Sequence, residues 1–210
     1  MHLSSRRGSW FTLVCLLLLG LFLVREGFTG TDQGPPRPGA AVAADHRAAG
    51  PLPRAPGPLP HSPPRRITVP SIRLDAPLTG VGLDSDGWVE PPPLADNNLA
   101  GWYRGAVTPG ERGTSVVVGH VDNSAGPAVF YLLGALERGS RVQVAREDGR
   151  TAVFSVYGVE LYAKKDFPAA RVYRDGADAE LRLITCGGGY AEKTGYDGNV
   201  VVFARLVDVR

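Results

Sequence analysis

From Ile67 to the C-terminus the chain is a succession of short β-branched runs cut by Gly, Asp and Pro, and that pattern restricts it to sheet. The runs predict strands over Ile67–Leu74, Thr114–Val121, Arg141–Arg146, Thr151–Leu161, Ala179–Cys186 and Asn199–Val209, with weaker ones over Ala76–Gly80 and Gly87–Glu90. One stretch breaks the rule. In Pro127–Leu136 the apolar residues Val129, Phe130, Leu133 and Leu136 recur at helical spacing, and Pro127 suits a first helical turn. Phe167–Tyr173 reads as a second helical turn. Strands at short spacing with so few helices predict an all-β domain, closed or sandwiched. Its 144 residues suffice for a proper core.

Two different segments precede this domain. Ser9–Val24 holds 16 residues without a charge, behind Arg6 and Arg7. As a helix it would span about 24 Å, slightly short of a ~30 Å hydrocarbon core. The best small-x-small cleavage site, Ala41-Val42-Ala43, lies well beyond the run, so an uncleaved signal-anchor is expected over residues 1–29. The basic flank keeps the N-terminus inside, which places the rest of the chain outside the cytoplasm as a single-pass membrane protein. Residues 30–66 contain ten prolines among Gly, Ala and Arg. Such a stretch cannot bury enough apolar surface to order itself, and reads as a disordered, extended linker. Fully extended, it would reach roughly 110 Å.

Charge follows the same division. The net charge of +2 resolves into +2 for residues 1–30, +3 for residues 31–66 and −3 for residues 67–210. Nucleic-acid binding needs a basic face on the folded module, and here that module is mildly acidic. The two cysteines, Cys15 and Cys186, exclude a disulfide scaffold.

Cys186 and His120 are the only thiol and the only imidazole in residues 67–210. Each ends an apolar run: Glu180-Leu-Arg-Leu-Ile-Thr-Cys186, leading into Gly187–Gly189, and Ser115-Val-Val-Val-Gly-His120. A thiol at the mouth of a strand is accessible, and the glycines would let a substrate backbone approach and offer N–H groups to an oxyanion. A cysteine nucleophile needs a base or cation beside it, and one histidine can serve. One Cys and one His fall short of a zinc site, so no metal is expected. A donor to the tetrahedral oxygen would complete the chemistry. Asn199, Arg182 and Arg205 are the candidates, with Asn199 the nearest if the last strand runs antiparallel to that of Cys186. Arg182 and Arg205 would lie some 13 and 20 Å away at ~3.3 Å per residue.

These residues resemble a family, the sortases, most closely the class F (actinobacterial) group. Leu183-Ile-Thr-Cys186 resembles the family's T-L-x-T-C signature, and Gly119-His120-Val121-Asp122 its histidine block. Gly126–Phe130, Leu181–Gly188, Val81–Asp84, Gly101–Tyr103 and Asn199–Phe203 resemble class F in particular. The resemblance covers residues 67–210. It implies an eight-stranded sortase-type β-barrel with one or two short helices, needing no cofactor. It further implies a cysteine transpeptidase that cleaves an L-P-x-T-G-like signal of secreted proteins through a thioacyl intermediate on Cys186. His120 would protonate the leaving amine, and a peptidoglycan cross-bridge or stem-peptide amine would accept the acyl group. One departure stands out. Where the family carries an Arg near the start of the final strand, Tyr196-Asp-Gly-Asn-Val200 places Asn199.

The alternative is a non-catalytic or purely hydrolytic surface domain on the same barrel. An L,D-transpeptidase would set His and Cys close together within an S-x-G-C-x-R-like block, whereas here they lie 66 positions apart. Papain-like peptidases usually place Cys before His, the reverse of this order.

Overall fold

The computed structural model describes residues 13–21, 34–39, 56–174 and 176–210. Its strands are β1 (Pro64–Val69), β2 (Leu74–Val81), β3 (Ala100–Tyr103), β4 (Gly113–Val118), β5 (Asp122–Asn123), β6 (Gly126–Pro127), β7 (Arg141–Arg146), β8 (Thr151–Ala163), β9 (Ala179–Ala191) and β10 (Gly195–Val209). Two helices accompany them, α1 over residues 13–21 and α2 over Ala169–Val172. Eight strands close into a barrel in the order β1-β2-β3-β4-β9-β10-β8-β7, and β5 and β6 form a separate ribbon. The pairs β2–β3 and β4–β9 are parallel, and the other barrel pairs are antiparallel. The all-β, eight-stranded expectation is met.

Strand boundaries depart from the sequence pattern where a backbone constraint overrides composition. The run Ile67–Leu74 is two strands, because Pro70 starts a 3-10 turn and Arg73 takes a left-handed conformation (φ 53°). The turn folds β1 onto β2 with Val69 opposite Leu74. Gly87–Glu90 is no strand. Asp84 accepts the N–H groups of Asp86 and Trp88 in a tight turn, leaving a single bridge between Leu83 and Val89. β3 was not anticipated, since Ala-Gly-Trp-Tyr carries no β-branched residue.

The period-two pattern separates two apolar clusters. Val117, Leu181, Leu183, Val200, Val202 and Phe154 point into the barrel. Val116, Val118, Ile184, Val201 and Phe203 point outward, where Val172 of α2 packs on them. All six residues of β4 are therefore buried, which explains its unbroken Val run.

Pro127–Leu136 does not form the expected helix. Phe130, Leu133 and Leu136 are fully buried in the barrel core, as the spacing implied, but only Leu133–Ala135 is helical, as one 3-10 turn. Gly126 and Pro127 are committed to the β5–β6 ribbon, which leaves too short a stretch to propagate an α-helix, and Gly134 weakens it further. Phe167–Tyr173 does contain a helical turn, α2.

Contacts divide the chain into two compact units, Met1–Gly34 and Pro35–Arg210. In the second, residues upstream of β1 are fastened to the barrel. Leu59 N–H donates to the Gly110 carbonyl (2.8 Å), and buried Arg146 reaches the Pro60 carbonyl (2.5 Å). Further upstream, the Pro36 carbonyl packs so closely on Gly134 that any Cβ there would overlap it, and Arg37 reaches the Gly188 carbonyl (3.4 Å). In the first unit α1 lies within the apolar run, while most of the remainder of the anticipated anchor is outside the described residues. Among the described residues no helix is long and apolar enough to cross a membrane.

Candidate active site

Cys186 and Asn199 come together on the outer face of β9 and β10, and β4, the other neighbour of β9, ends two residues before His120. Cys186 shares the outward parity of Ile184, and Asn199 that of Val201, while His120 lies two residues past the end of β4. In the β9–β10 ladder Cys186 is directly opposite Asn199. The parallel β4–β9 ladder runs to Val118 opposite Ile184, and two bonds continue it. Gly119 N–H donates to the Ile184 carbonyl (3.2 Å), and the Thr185 hydroxyl donates to the Gly119 carbonyl (2.8 Å). His120 thus follows the residue that is tied to Thr185, the neighbour of Cys186 in β9.

The histidine is held by backbone. Its carbonyl accepts from Phe130 N–H (3.0 Å), and its ring Nε2 lies 2.7 Å from the Pro92 carbonyl. A carbonyl only accepts, so Nε2 carries a hydrogen and Nδ1 is the nitrogen open to proton transfer.

Cys186 is half-buried and free of any disulfide. It lines a cleft of ≈ 410 Å³ with apolar walls from Trp88, Val118, Phe167, Tyr173 and Ile184. Trp88 meets Phe167 edge to face at 5.7 Å. Asn199, Lys164 and Asp84 are polar residues of the same lining. Burial pushes the Cys186 thiol above its ordinary value. The Lys164 ammonium pulls it down and the Asp122 carboxylate pushes it up. Asp122 accepts the Tyr196 hydroxyl hydrogen bond, and burial together with that carboxylate keeps the phenol protonated to high pH. Among the described residues no group of His, Cys, Asp or Glu could hold a metal.

The glycines after Cys186 do not form the anticipated open loop. They continue β9, with Gly187 opposite Gly198. A Cβ on Gly187 would meet Val200 at 2.8 Å. Gly188, at φ 94°, makes room for the Asp197 side chain, which accepts the Gly189 N–H (2.7 Å), so that N–H is not available to an oxyanion.

The structure does not bring the two candidate arginines to the thiol. Arg182 is 1% exposed on the outer face of β9. It pairs with the Glu180 carboxylate, donates to the Val172 carbonyl (3.1 Å) and stacks on Phe203 at 4.7 Å. Arg205 is opposite Glu180, six rungs from the Cys186–Asn199 pair, about 20 Å along the ladder. Sequence reasoning missed Trp88, Phe167, Tyr173 and Lys164 as cleft residues. Lys164 follows the end of β8, whose Tyr162 pairs with Asn199, and that pairing carries no local signal in the sequence.

The sortase-domain family model matches residues 67–207. This chain belongs to the sortase family, whose members are cysteine transpeptidases. Solved structures with the same fold include a sortase A of Listeria monocytogenes, at 16% identity and TM-score 0.53, covering 72% of this chain and 90% of that one. A SrtA sortase of Actinomyces oris matches at 22% identity and TM-score 0.54, covering 78% and 89%. Sortase C-1 of the same organism matches at 23% and 0.52, covering 68% and 73%. A comparison with curated proteins finds no match.

Proposed function

We propose that this chain is a membrane-anchored, extracytoplasmic cysteine transpeptidase that cleaves an L-P-x-T-G-like sorting signal and transfers the acyl part to a cell-wall amine. The observation that carries this reading is that Cys186 lines an apolar cleft from β9, while His120 follows the end of the neighbouring parallel strand β4, tied to β9 through Gly119 and Thr185. The walls of Val118, Ile184, Phe167 and Tyr173 suit the Leu and Pro side chains of such a signal. The basic flank and apolar run at the N-terminus support the anchor and the outward orientation.

In this reading the Cys186 proton passes to His120. The thiolate attacks the carbonyl carbon of the signal's Thr, forming a C–S bond and moving the carbonyl π pair onto oxygen. Collapse breaks the C–N bond to the following residue, and the His120 imidazolium gives its proton to the leaving amine. An incoming amine then gives a proton to neutral His120 and attacks the thioester. The new C–N bond forms as the C–S bond breaks, and the thiolate returns. Water in place of the amine makes the same sequence hydrolytic.

The test incubates the full chain, and its Cys186→Ala variant, with an L-P-x-T-G-type peptide and an amine such as triglycine. Mass spectrometry follows the acyl-enzyme and the ligated product. The wild type is expected to give both and the variant neither. Ligated product from the variant would sink the assignment, and cleavage without ligation under saturating amine would convert it to a hydrolase.

A further inference from the structure

The Cys186 cleft contains a cation that no sequence motif pointed to. β8 ends with Tyr162 opposite Asn199 and Ala163 opposite Gly198, so the next residue, Lys164, emerges beside the rung that holds Cys186. Of the residues lining the cleft, Lys164 alone is cationic. We propose that Lys164 is a catalytic residue of this site, its ammonium stabilising first the Cys186 thiolate and then the oxyanion of the tetrahedral intermediate, adding a charge to the hydrogen bond that the Asn199 amide can donate. The proposal rests on the transpeptidase reading and names the group that completes it.

The other nearby cations are committed elsewhere. Arg182 is buried on Glu180, and Arg171 pairs with Glu160 (2.8 Å) while lying over Tyr162 and Phe203. Lys165 pairs with Asp166 (3.9 Å) and lines only the neighbouring hollow by Thr194 and Asp197, whereas Lys164 borders both that hollow and the Cys186 cleft. Lys164 is exposed, in the 3-10 turn Lys164–Asp166, and has a flexible stem. That stem lets one ammonium follow the negative charge from sulfur to oxygen, two atoms bonded to the same carbon. The charged and titratable groups around the thiol come from separate elements: Lys164 after β8, Asp122 from β5, His120 after β4 and Asp84 across the cleft. Lys164 favours the thiolate and Asp122 opposes it.

The test uses the full chain with Lys164→Met, Lys164→Arg and the double variant Lys164→Met/Asn199→Arg. Two rates are read: site-resolved iodoacetamide alkylation of Cys186 against pH, and acylation by an L-P-x-T-G-type peptide. Lys164→Met is expected to move the alkylation profile to higher pH and to slow acylation at least about tenfold, in line with loss of one oxyanion-stabilising group. Lys164→Arg is expected to keep most of the acylation rate, and Asn199→Arg to restore it in the Met background. Unchanged alkylation and acylation in Lys164→Met would overturn the proposal. A shifted alkylation profile with unchanged acylation would overturn the oxyanion role. If the wild type itself forms no acyl-enzyme, the transpeptidase reading fails, while the alkylation comparison still decides whether Lys164 acts on the thiol.

Discussion

Replacing Arg182 by Met separates a structural arginine from a catalytic one. The side chain is 2% exposed and Glu180 13% exposed. The guanidinium donates to the Glu180 carboxylate, to the Val172 carbonyl (3.1 Å) and to the Leu181 carbonyl (3.3 Å), and lies 4.7 Å over the Phe203 ring. Met fills much of the packing volume but removes the Arg182 cation from the Glu180 carboxylate and the guanidinium hydrogen bonds to the Val172 and Leu181 carbonyls. Breaking a buried pair on one side costs about 3–5 kcal/mol. For a domain of this size each kcal/mol lowers Tm by roughly 2–4 °C, so a fall of about 6–20 °C is expected. Adding Glu180→Gln removes the stranded charge while still offering an acceptor to the Tyr157 hydroxyl, and is expected to recover a large part of the loss. Thermal unfolding by circular dichroism measures the fall. Peptide acylation measured well below the variant's Tm checks the role, and is expected to stay within about threefold of wild type. A variant of wild-type Tm with acylation lost would refute the reasoning and return Arg182 to the site.

Two further outcomes follow from the same geometry. Thr185→Val removes the hydroxyl that ties the Cys186 strand to the Gly119 carbonyl (2.8 Å), and is expected to cost about 1–3 kcal/mol in urea unfolding while slowing acylation, because the spacing of Cys186 and His120 loosens. Unchanged stability would show that the bond holds nothing. Burial sets the Cys186 thiol above its ordinary value, so its alkylation profile is expected to lie at higher pH than that of a free cysteine, and Asp122→Asn, which removes an anion opposing ionisation, to move it down; an upward move would reverse the assigned sign.

The class of fold was legible in the chain, and so was the pair Cys186 and His120 on which the proposed site is built. β-branched runs cut by turn residues demand sheet, and the scarcity of Cys and His in residues 67–210 left one pair able to do nucleophilic chemistry. These are local properties, carried by residue type and a spacing of two. Pro127–Leu136 marks the limit of such reading. Its spacing correctly buried Phe130, Leu133 and Leu136, but burial at helical intervals does not require a helix when Gly126 and Pro127 are already held in a ribbon.

The tertiary structure decided which distant residues share the thiol's surroundings. Strand order put β4 and β10 on either side of β9, and register set Asn199 opposite Cys186 and sent Arg205 six rungs away. Parity placed Arg182 on the correct face, yet packing under α2 closed it off with Glu180 and Phe203. Lys164 reached the cleft only because β8 lies against β10 and ends where β9 presents its cysteine. Periodicity along one strand fixes which way a side chain points, whereas its neighbours depend on long-range pairing, which no local pattern encodes.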